Sequence, residues 1–133
     1  MTDKELLALA SDARKASYCP YSGYSVGAAL LCSDGSVYKG CNIENASFTP
    51  TVCAERTAVF KAVSEGRCDF VKIAIVGGKK NAPDGWAPPC GVCRQVLNEF
   101  CSSDFTVVLT DGEDSRSYTL AELLPFGFGP QSL

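Results

Sequence analysis

The sequence contains no histidine, and this absence restricts the metal sites that the chain can build. Zinc in proteins is bound by cysteine sulfur, histidine nitrogen or carboxylate oxygen. Any zinc site in this chain must therefore be made from thiolates, carboxylates or main-chain groups. Eight cysteines are a large number for 133 residues, so their thiols are the first candidates.

Long apolar segments and an excess of positive charge are also missing. No run approaches the ~20 apolar residues of a membrane-spanning helix, and the N-terminus lacks the apolar region of a signal peptide. The formal net charge is −3, and no basic stripe is present that would neutralise nucleic-acid phosphates. We therefore expect a cytoplasmic protein that acts on a small molecule, with no membrane and no nucleic acid polymer as partner.

The cysteines themselves favour a reducing compartment. In a short exported protein, eight of them would indicate a disulfide framework. Here no export signal accompanies them, and Cys32, Cys41 and Cys101 lie in or beside apolar segments, where free cysteine behaves as a small hydrophobic residue. The chain shows no repeat, linker or low-complexity tract, so residues 1–133 are expected to form a single domain.

Hydrophobic periodicity predicts helices that alternate with strands. Thr2 and Glu5 have the spacing of a capping box. The predicted helices cover residues 3–17, 53–65, 90–101 and about 120–124. The predicted strands cover residues 25–32, 36–42, 71–76 and 105–109, the first two as a hairpin around Ser33-Asp34-Gly35; residues 77–89 are expected to be a loop. This order predicts an α/β protein with a mixed sheet covered by helices on both faces.

Two segments place cysteines at the start of a predicted helix: Cys53-Ala54-Glu55 and Pro89-Cys90-Gly91-Val92-Cys93. In the second segment, two thiols three residues apart lie on one helix face and can reach one ion. Helix N-termini favour anions, so two of them that converge would stabilise three thiolates. Three protein ligands leave the fourth tetrahedral position open, which is typical of a catalytic zinc. The neighbouring glutamate is then free to move protons.

The combined spacing, Cys-x-Glu followed by Pro-Cys-x-x-Cys, is the signature of zinc-dependent nucleobase deaminases in its all-cysteine form. Two other interpretations remain open. Cys90 and Cys93 alone would suit a thioredoxin-like redox pair, but the first segment would then have no role. A closed structural zinc site would need a fourth thiol, such as Cys41.

The chain resembles the small, homotetrameric class of cytidine deaminases over nearly its full length. The matching pieces are Tyr21-Ser22, Val26 to Ala29, Asn42 to Ser47, Cys53 to Arg56, Pro89 to Gln95, Leu123-Leu124-Pro125 and Phe128. The resemblance implies a three-layer α/β/α fold, with a mixed five-stranded sheet that opens with an antiparallel hairpin. It also implies one Zn²⁺ per subunit and hydrolytic deamination of free cytidine and deoxycytidine to uridine and deoxyuridine plus ammonia, as in pyrimidine salvage.

The resemblance also assigns roles to individual residues. It implies that Cys53, Cys90 and Cys93 bind the metal and that Glu55 is the catalytic residue. The substrate-binding residues that it implies are Asn42 and Glu44 at the ribose 3′-hydroxyl, the Ala54 amide at the pyrimidine carbonyl, Tyr24 as an aromatic wall, and Phe128 reaching a neighbouring subunit's site. Arg56 is similar to an arginine that hydrogen-bonds the zinc thiolates, whose charge with Zn²⁺ sums to −1.

Three positions depart from the family pattern, and all concern the substrate rather than the metal. Tyr24-Ser25 stands where Phe-Pro is usual, Phe48 where Tyr is common, and Phe126 where a small residue is usual. Two alternatives to nucleoside deamination remain: a deaminase of a cytosine nucleoside antibiotic such as blasticidin S, and a non-catalytic zinc-binding module. The sequence does not separate cytidine from deoxycytidine, because contacts to the 3′-hydroxyl do not report on the 2′ position.

Overall fold

A computed structural model of the chain describes residues 1–79 and 85–133. In these ranges the helices are α1 (Asp3–Ala13), α2 (Ala54–Ser64), α3 (Gly91–Phe100) and α4 (Leu120–Leu123). The strands are β1 (Tyr24–Cys32), β2 (Val37–Cys41), β3 (Phe70–Lys79), β4 (Thr106–Thr110) and β5 (Ser115–Thr119). Single 3₁₀ turns occupy Arg14–Ala16 and Pro130–Ser132. None of the described helices has the length and hydrophobicity needed to cross a bilayer.

The five described strands form one sheet in the order β2-β1-β3-β4-β5. Strand β1 is antiparallel to both β2 and β3, β3 is parallel to β4, and β4 is antiparallel to β5. The sheet is therefore mixed and opens with the predicted hairpin. Because β3 and β4 are parallel, their C-terminal ends lie at the same end of the sheet. The chain that connects these two strands contains α3.

Helices cover both faces of the sheet, because successive strand residues point to opposite sides. On one face, Leu6 and Ala10 of α1 share a buried cluster with Ala29, Ala74 and Val76. On the other face, α2, α3 and α4 contribute to a larger cluster around buried Leu30, Ile73, Ile75, Val107 and Leu97. The three-layer α/β/α fold class is thereby confirmed.

The boundaries differ from the predictions in three places. The predicted helix 3–17 ends at Ala13 and tightens into a 3₁₀ turn, although its capping box at Thr2 and Glu5 is present. Strand β3 continues through Gly77, Gly78 and Lys79, which were predicted as loop, because they pair with the start of β1. The rest of that predicted loop includes residues 80–84, which lie outside the described residues. Strand β5 was not predicted from the residues, because Ser115–Thr119 is polar and largely exposed at the sheet edge.

Gly40 of β2 sets the distance between the sheet and α2. A Cβ atom at Gly40 would lie 2.5 Å from both the carbonyl oxygen of Ala54 and the amide nitrogen of Ala58. Real Cβ atoms do not approach backbone atoms so closely, so any side chain here would displace the helix. The absence of a side chain therefore lets the N-terminal turn of α2 lie directly on the strand.

Candidate active site

The three cysteines predicted as ligands meet where α2 and α3 begin. Cys53 is the N-cap residue of α2 and Cys90 the N-cap residue of α3, both with extended backbone. Cys93 lies in the first turn of α3 and is fully buried. The three sulfur atoms lie within 4.8 Å of one another. Cys41, the candidate fourth thiol of a closed site, is not part of this cluster and borders a different cavity.

The cluster has the geometry and chemistry of a zinc site. Zn–S bonds of about 2.3 Å in a tetrahedron place two sulfur atoms about 3.8 Å apart. The Sγ atoms of Cys53 and Cys90 are 3.7 Å apart, close to this value and far beyond a disulfide bond. Hydrogen bonding from Cys93 lowers the pKa of the Cys53 thiol, and Arg56 acts in the same direction. The same contact raises the pKa of Cys93, so without a metal the two sulfur atoms share one proton. The sulfur spacing and the all-cysteine donor set fit Zn²⁺, whose binding would release that proton.

Arg56 lies against the thiols from the side of α2. Its Nη2 donates to the Sγ of Cys53 at 3.4 Å. Hydrogen bonding to Cys53 and the negative charge of Cys93 and Cys53 raise the pKa of the Arg56 guanidinium. Among the residues that the structure describes, its Nε is the one buried side-chain nitrogen or oxygen atom without a partner. A cation at this position offsets the negative charge that three thiolates leave on a divalent ion.

Glu55 is a buried carboxyl group beside the sulfur cluster. It lies in the first turn of α2 with 4% of its surface exposed. Burial raises the pKa of Glu55 to about 7, and the charge of Cys53 acts in the same direction. A carboxyl group with a pKa near neutrality suits proton transfer in both directions. The structure thus brings the predicted proton carrier and the predicted metal ligands together.

A cavity of about 370 Å³ opens onto these groups. Its walls include seven of the predicted site residues: Tyr24, Asn42, Glu44, Cys53, Ala54, Glu55 and Cys90. Ser22, Val26, Thr51, Val52, Trp86, Ala87 and Pro88 line it as well. Thr51, Val52 and the segment 86–88 were missed by sequence reasoning, since isolated loop residues carry no spacing signal. The one available signal was a lone tryptophan in the loop that leads into Pro89-Cys90.

Asn42 and Glu44 are held rigidly at the cavity wall by their own hydrogen bonds. The Nδ2 of Asn42 donates to the carbonyl of Tyr24 at 2.8 Å, and its Oδ1 accepts from the amide of Val26 at 2.9 Å. The carboxylate of Glu44 accepts from the hydroxyl and amide of Ser22 and from the amide of Tyr21. The hydroxyl bond from Ser22 lowers the pKa of Glu44 below its usual value. Asn42 therefore also fixes the start of β1, and Glu44 fixes the loop before it.

Phe128 lies outside this cavity, in a tail anchored on α3. Its side chain is 60% exposed. Its carbonyl oxygen accepts from the side-chain amides of Gln95 and Asn98, both at 2.8 Å. Arg94 donates to the carbonyls of Pro89 and Leu123 at 2.8 and 2.7 Å. Thus α3 holds both the loop before Cys90 and the tail, a role of its polar residues that sequence reasoning missed.

The three departures from the family pattern fall in different places. Tyr24 lines the cavity, and burial raises the pKa of its hydroxyl. Phe48 packs edge-to-face on Tyr21, with ring centroids 6.0 Å apart, beside an adjoining hollow bordered by Glu44. Phe48 and the fully exposed Phe126 are the non-glycine residues with positive φ, 61° and 53°, in the described ranges. Bulky residues adopt this conformation rarely, and its cost is of the order of 1–2 kcal/mol.

Comparisons with known proteins agree with this geometry. Residues 1–109 match the family model for the cytidine and deoxycytidylate deaminase zinc-binding region. A cytidine deaminase from Halalkalibacterium halodurans is 49% identical, with 100% of this chain and 98% of the relative aligned. One from Sporosarcina psychrophila is 46% identical, with 100% and 96% aligned.

A crystal structure of a cytidine deaminase from Burkholderia pseudomallei superposes with a TM-score of 0.88 and 44% identity. The match covers 96% of this chain and 100% of that structure. The sequence motifs, the thiol cluster beside a buried glutamate, and these matches lead to one conclusion. The chain belongs to the cytidine and deoxycytidylate deaminase family of zinc-binding proteins.

Proposed function

We propose that the protein hydrolyses the 4-amino group of free cytidine and deoxycytidine, releasing uridine or deoxyuridine and ammonia. The observation that carries this proposal is the position of buried Glu55, beside three thiols and at the wall of a cavity of about 370 Å³. Small-molecule sites have volumes in this range. Relatives that align over the whole chain are cytidine deaminases, which supports cytidine as a substrate.

Cys53, Cys90 and Cys93 hold the zinc ion in this proposal. When bound, zinc acidifies water and so supplies a nucleophile at neutral pH. Arg56 reduces the electron donation of the thiolates by hydrogen-bonding Cys53. Without that cation, the net negative charge of the site would make the water less acidic.

Glu55 moves the protons of the reaction. Its carboxylate accepts a proton from the attacking water and delivers it to ring N3, which makes C4 more electrophilic. After the water oxygen has bonded to C4, Glu55 takes the remaining proton from this oxygen and transfers it to the 4-amino group. The C–N bond then breaks, ammonia leaves, and the oxygen on C4 becomes the carbonyl of uridine. The pKa of about 7 that burial gives this group suits both steps.

The wall residues orient the nucleoside. Ala54 is the first residue of α2, so its amide belongs to the helix-terminal donors that have no intrahelical partner, and it binds the pyrimidine carbonyl. Asn42 and Glu44 bind the ribose 3′-hydroxyl, held in place by their bonds to the main chain of β1 and its preceding loop. Tyr24 supplies an aromatic wall with a hydroxyl at its edge.

We further propose that the protein is a cytoplasmic homotetramer and that residues 1–133 act as one domain. None of the eight cysteines forms a disulfide bond, which suits a reducing compartment. Phe126 and Phe128 are exposed aromatic residues at the tail, where a neighbouring subunit would cover them. Phe128 then completes the active site of that neighbour and packs on the base.

A Phe128→Ala variant is expected to have a KM for cytidine about tenfold higher, because an aromatic contact with the base is lost. Action between subunits is tested by refolding this variant together with Glu55→Gln. Mixed oligomers should regain low-KM sites, formed by Glu55 of one subunit and Phe128 of the other. Leu133→Ala, which truncates another exposed apolar residue of the tail, is the control. A KM that stays high in the mixture would show that Phe128 acts only within its own chain.

The reaction itself is tested by the ultraviolet absorbance of cytidine, deoxycytidine and blasticidin S, each mixed with zinc-loaded protein. We expect conversion of the first two with stoichiometric release of ammonia. Conversion of blasticidin S alone would support the antibiotic deaminase. Bound zinc with no conversion of any of the three would support a non-catalytic zinc-binding module.

A further inference from the structure

Trp86 is the single tryptophan of the chain and lines the cavity. It is half-buried and packs against the larger core cluster. The guanidinium carbon of Arg116, on edge strand β5, lies 4.2 Å from the centroid of the indole ring. This distance is typical of a cation–π contact, in which the cation covers one face of the ring. Arg116 is exposed and is not among the residues that line the cavity.

The segment that carries Trp86 is fixed to the end of β3. The amide of Gly85 donates to the carbonyl of Gly77 at 3.1 Å. A Cβ atom at Gly77 would lie 2.8 Å from the Cβ of Ala87 and 3.2 Å from the hydroxyl oxygen of Tyr24. The segment therefore packs closely on the sheet beside Tyr24. The main chain next to Trp86 is therefore held by the hydrogen bond to Gly77, and the indole ring is held by Arg116.

We propose that Trp86 contacts the bound pyrimidine nucleoside and sets its affinity, and that Arg116 is a positioning residue that acts through Trp86 from outside the cavity. The inference rests on the proposed nucleoside deamination. An indole ring presents a flat, apolar π surface, which is what a pyrimidine base stacks against. Because the arginine lies on the outer side, it orients the ring without contacting the substrate. A purely structural tryptophan would instead leave substrate affinity unchanged.

Fluorescence tests the contact directly, because emission from tryptophan comes from this residue alone. Zinc-loaded protein is excited at the red edge of protein absorption, where tyrosine does not absorb, and titrated with uridine, the reaction product. We expect a saturable change in emission with the same half-point at which uridine inhibits cytidine turnover. Ribose serves as the control, since it lacks the base and should leave the emission unchanged.

Two variants test the division of roles. Trp86→Leu should raise KM for cytidine about tenfold with little change in kcat, because a contact present in both ground and transition states is lost. Arg116→Ala should raise KM about two- to fivefold and shift the emission of the unliganded protein, and Arg116→Lys should restore much of both, since it keeps the cation. Ser117→Ala, on the same exposed strand, is the control.

The outcomes separate this inference from the proposed function. Turnover of cytidine with an emission unaffected by inhibitory uridine would overturn the role of Trp86 and leave the deaminase standing. A saturable emission change without turnover would keep the contact and overturn the deaminase. An unchanged KM in Arg116→Ala, with normal turnover and a saturable emission change, would remove Arg116 from the proposal.

Discussion

Glu55→Gln is expected to lower kcat for cytidine by about 10²–10⁴-fold, the usual contribution of a positioned acid–base group. Glutamine keeps the size of the side chain and its place in the first turn of α2, but it cannot exchange a proton. Because Glu55 is not one of the three clustered thiols, zinc content should remain that of the wild type. Steady-state kinetics and metal analysis of the same preparation measure both quantities.

The matched control is Glu65→Gln, which makes the same change at the exposed C-terminal end of the same helix. It should leave both kcat and zinc content unchanged. Near-normal kcat in Glu55→Gln would remove Glu55 from the proton transfers. Loss of zinc in that variant would show that Glu55 supports the metal site, and its kinetic effect could then not be assigned to proton transfer.

Cys90→Ser is expected to abolish turnover and to lower the free energy of unfolding by about 4 kcal/mol at a zinc concentration a thousand times Kd. Zinc that binds only the folded chain stabilises it by mass action, and removing one thiolate from three weakens that binding. Urea denaturation with added zinc, combined with metal analysis, measures the effect. An excess of chelator removes zinc from the wild type as well. The free energies of unfolding of wild type and Cys90→Ser should then be nearly equal.

Cys68→Ser is the control for this experiment, because Cys68 is an exposed free thiol away from the cluster. It should bind zinc and unfold as the wild type does. Wild-type zinc content in Cys90→Ser would contradict the assignment of Cys90 as a ligand. A stability loss that persists in chelator would mean that Cys90 stabilises the fold independently of the metal.

The sequence was most informative where a spacing carries the chemistry. Cys53, Cys90 and Cys93 were predicted from their positions at helix starts, and the structure brings their sulfur atoms together. The hairpin and all four helices were predicted, the longer elements because their apolar residues recur with strand or helix period. The site and most of the fold were therefore accessible from patterns of a few residues.

The features that were missed depend on contacts between distant segments. Strand β5 forms because β4 offers it a partner, although its own residues are polar. Trp86 reaches the cavity because the main chain beside it docks on Gly77. The anchoring of the tail by Gln95 and Asn98 depends on a main-chain carbonyl group that any residue can provide. A pattern of neighbouring residues does not predict such contacts, because each one depends on a segment that is distant in the sequence and comes close only in the folded chain.

The lack of a side chain at Gly40 has a consequence for how this site can be transferred or varied. The amide of Ala54, the carboxyl of Glu55 and the thiol of Cys53 are all carried by one helical turn that lies directly on that glycine. A shift of about 1 Å in catalytic groups can cost about a hundredfold in rate. Transferring Cys53, Glu55, Cys90 and Cys93 to another pair of helices would therefore not reproduce the site. The host sheet would also need a glycine at the point where the first turn of the helix packs on the strand.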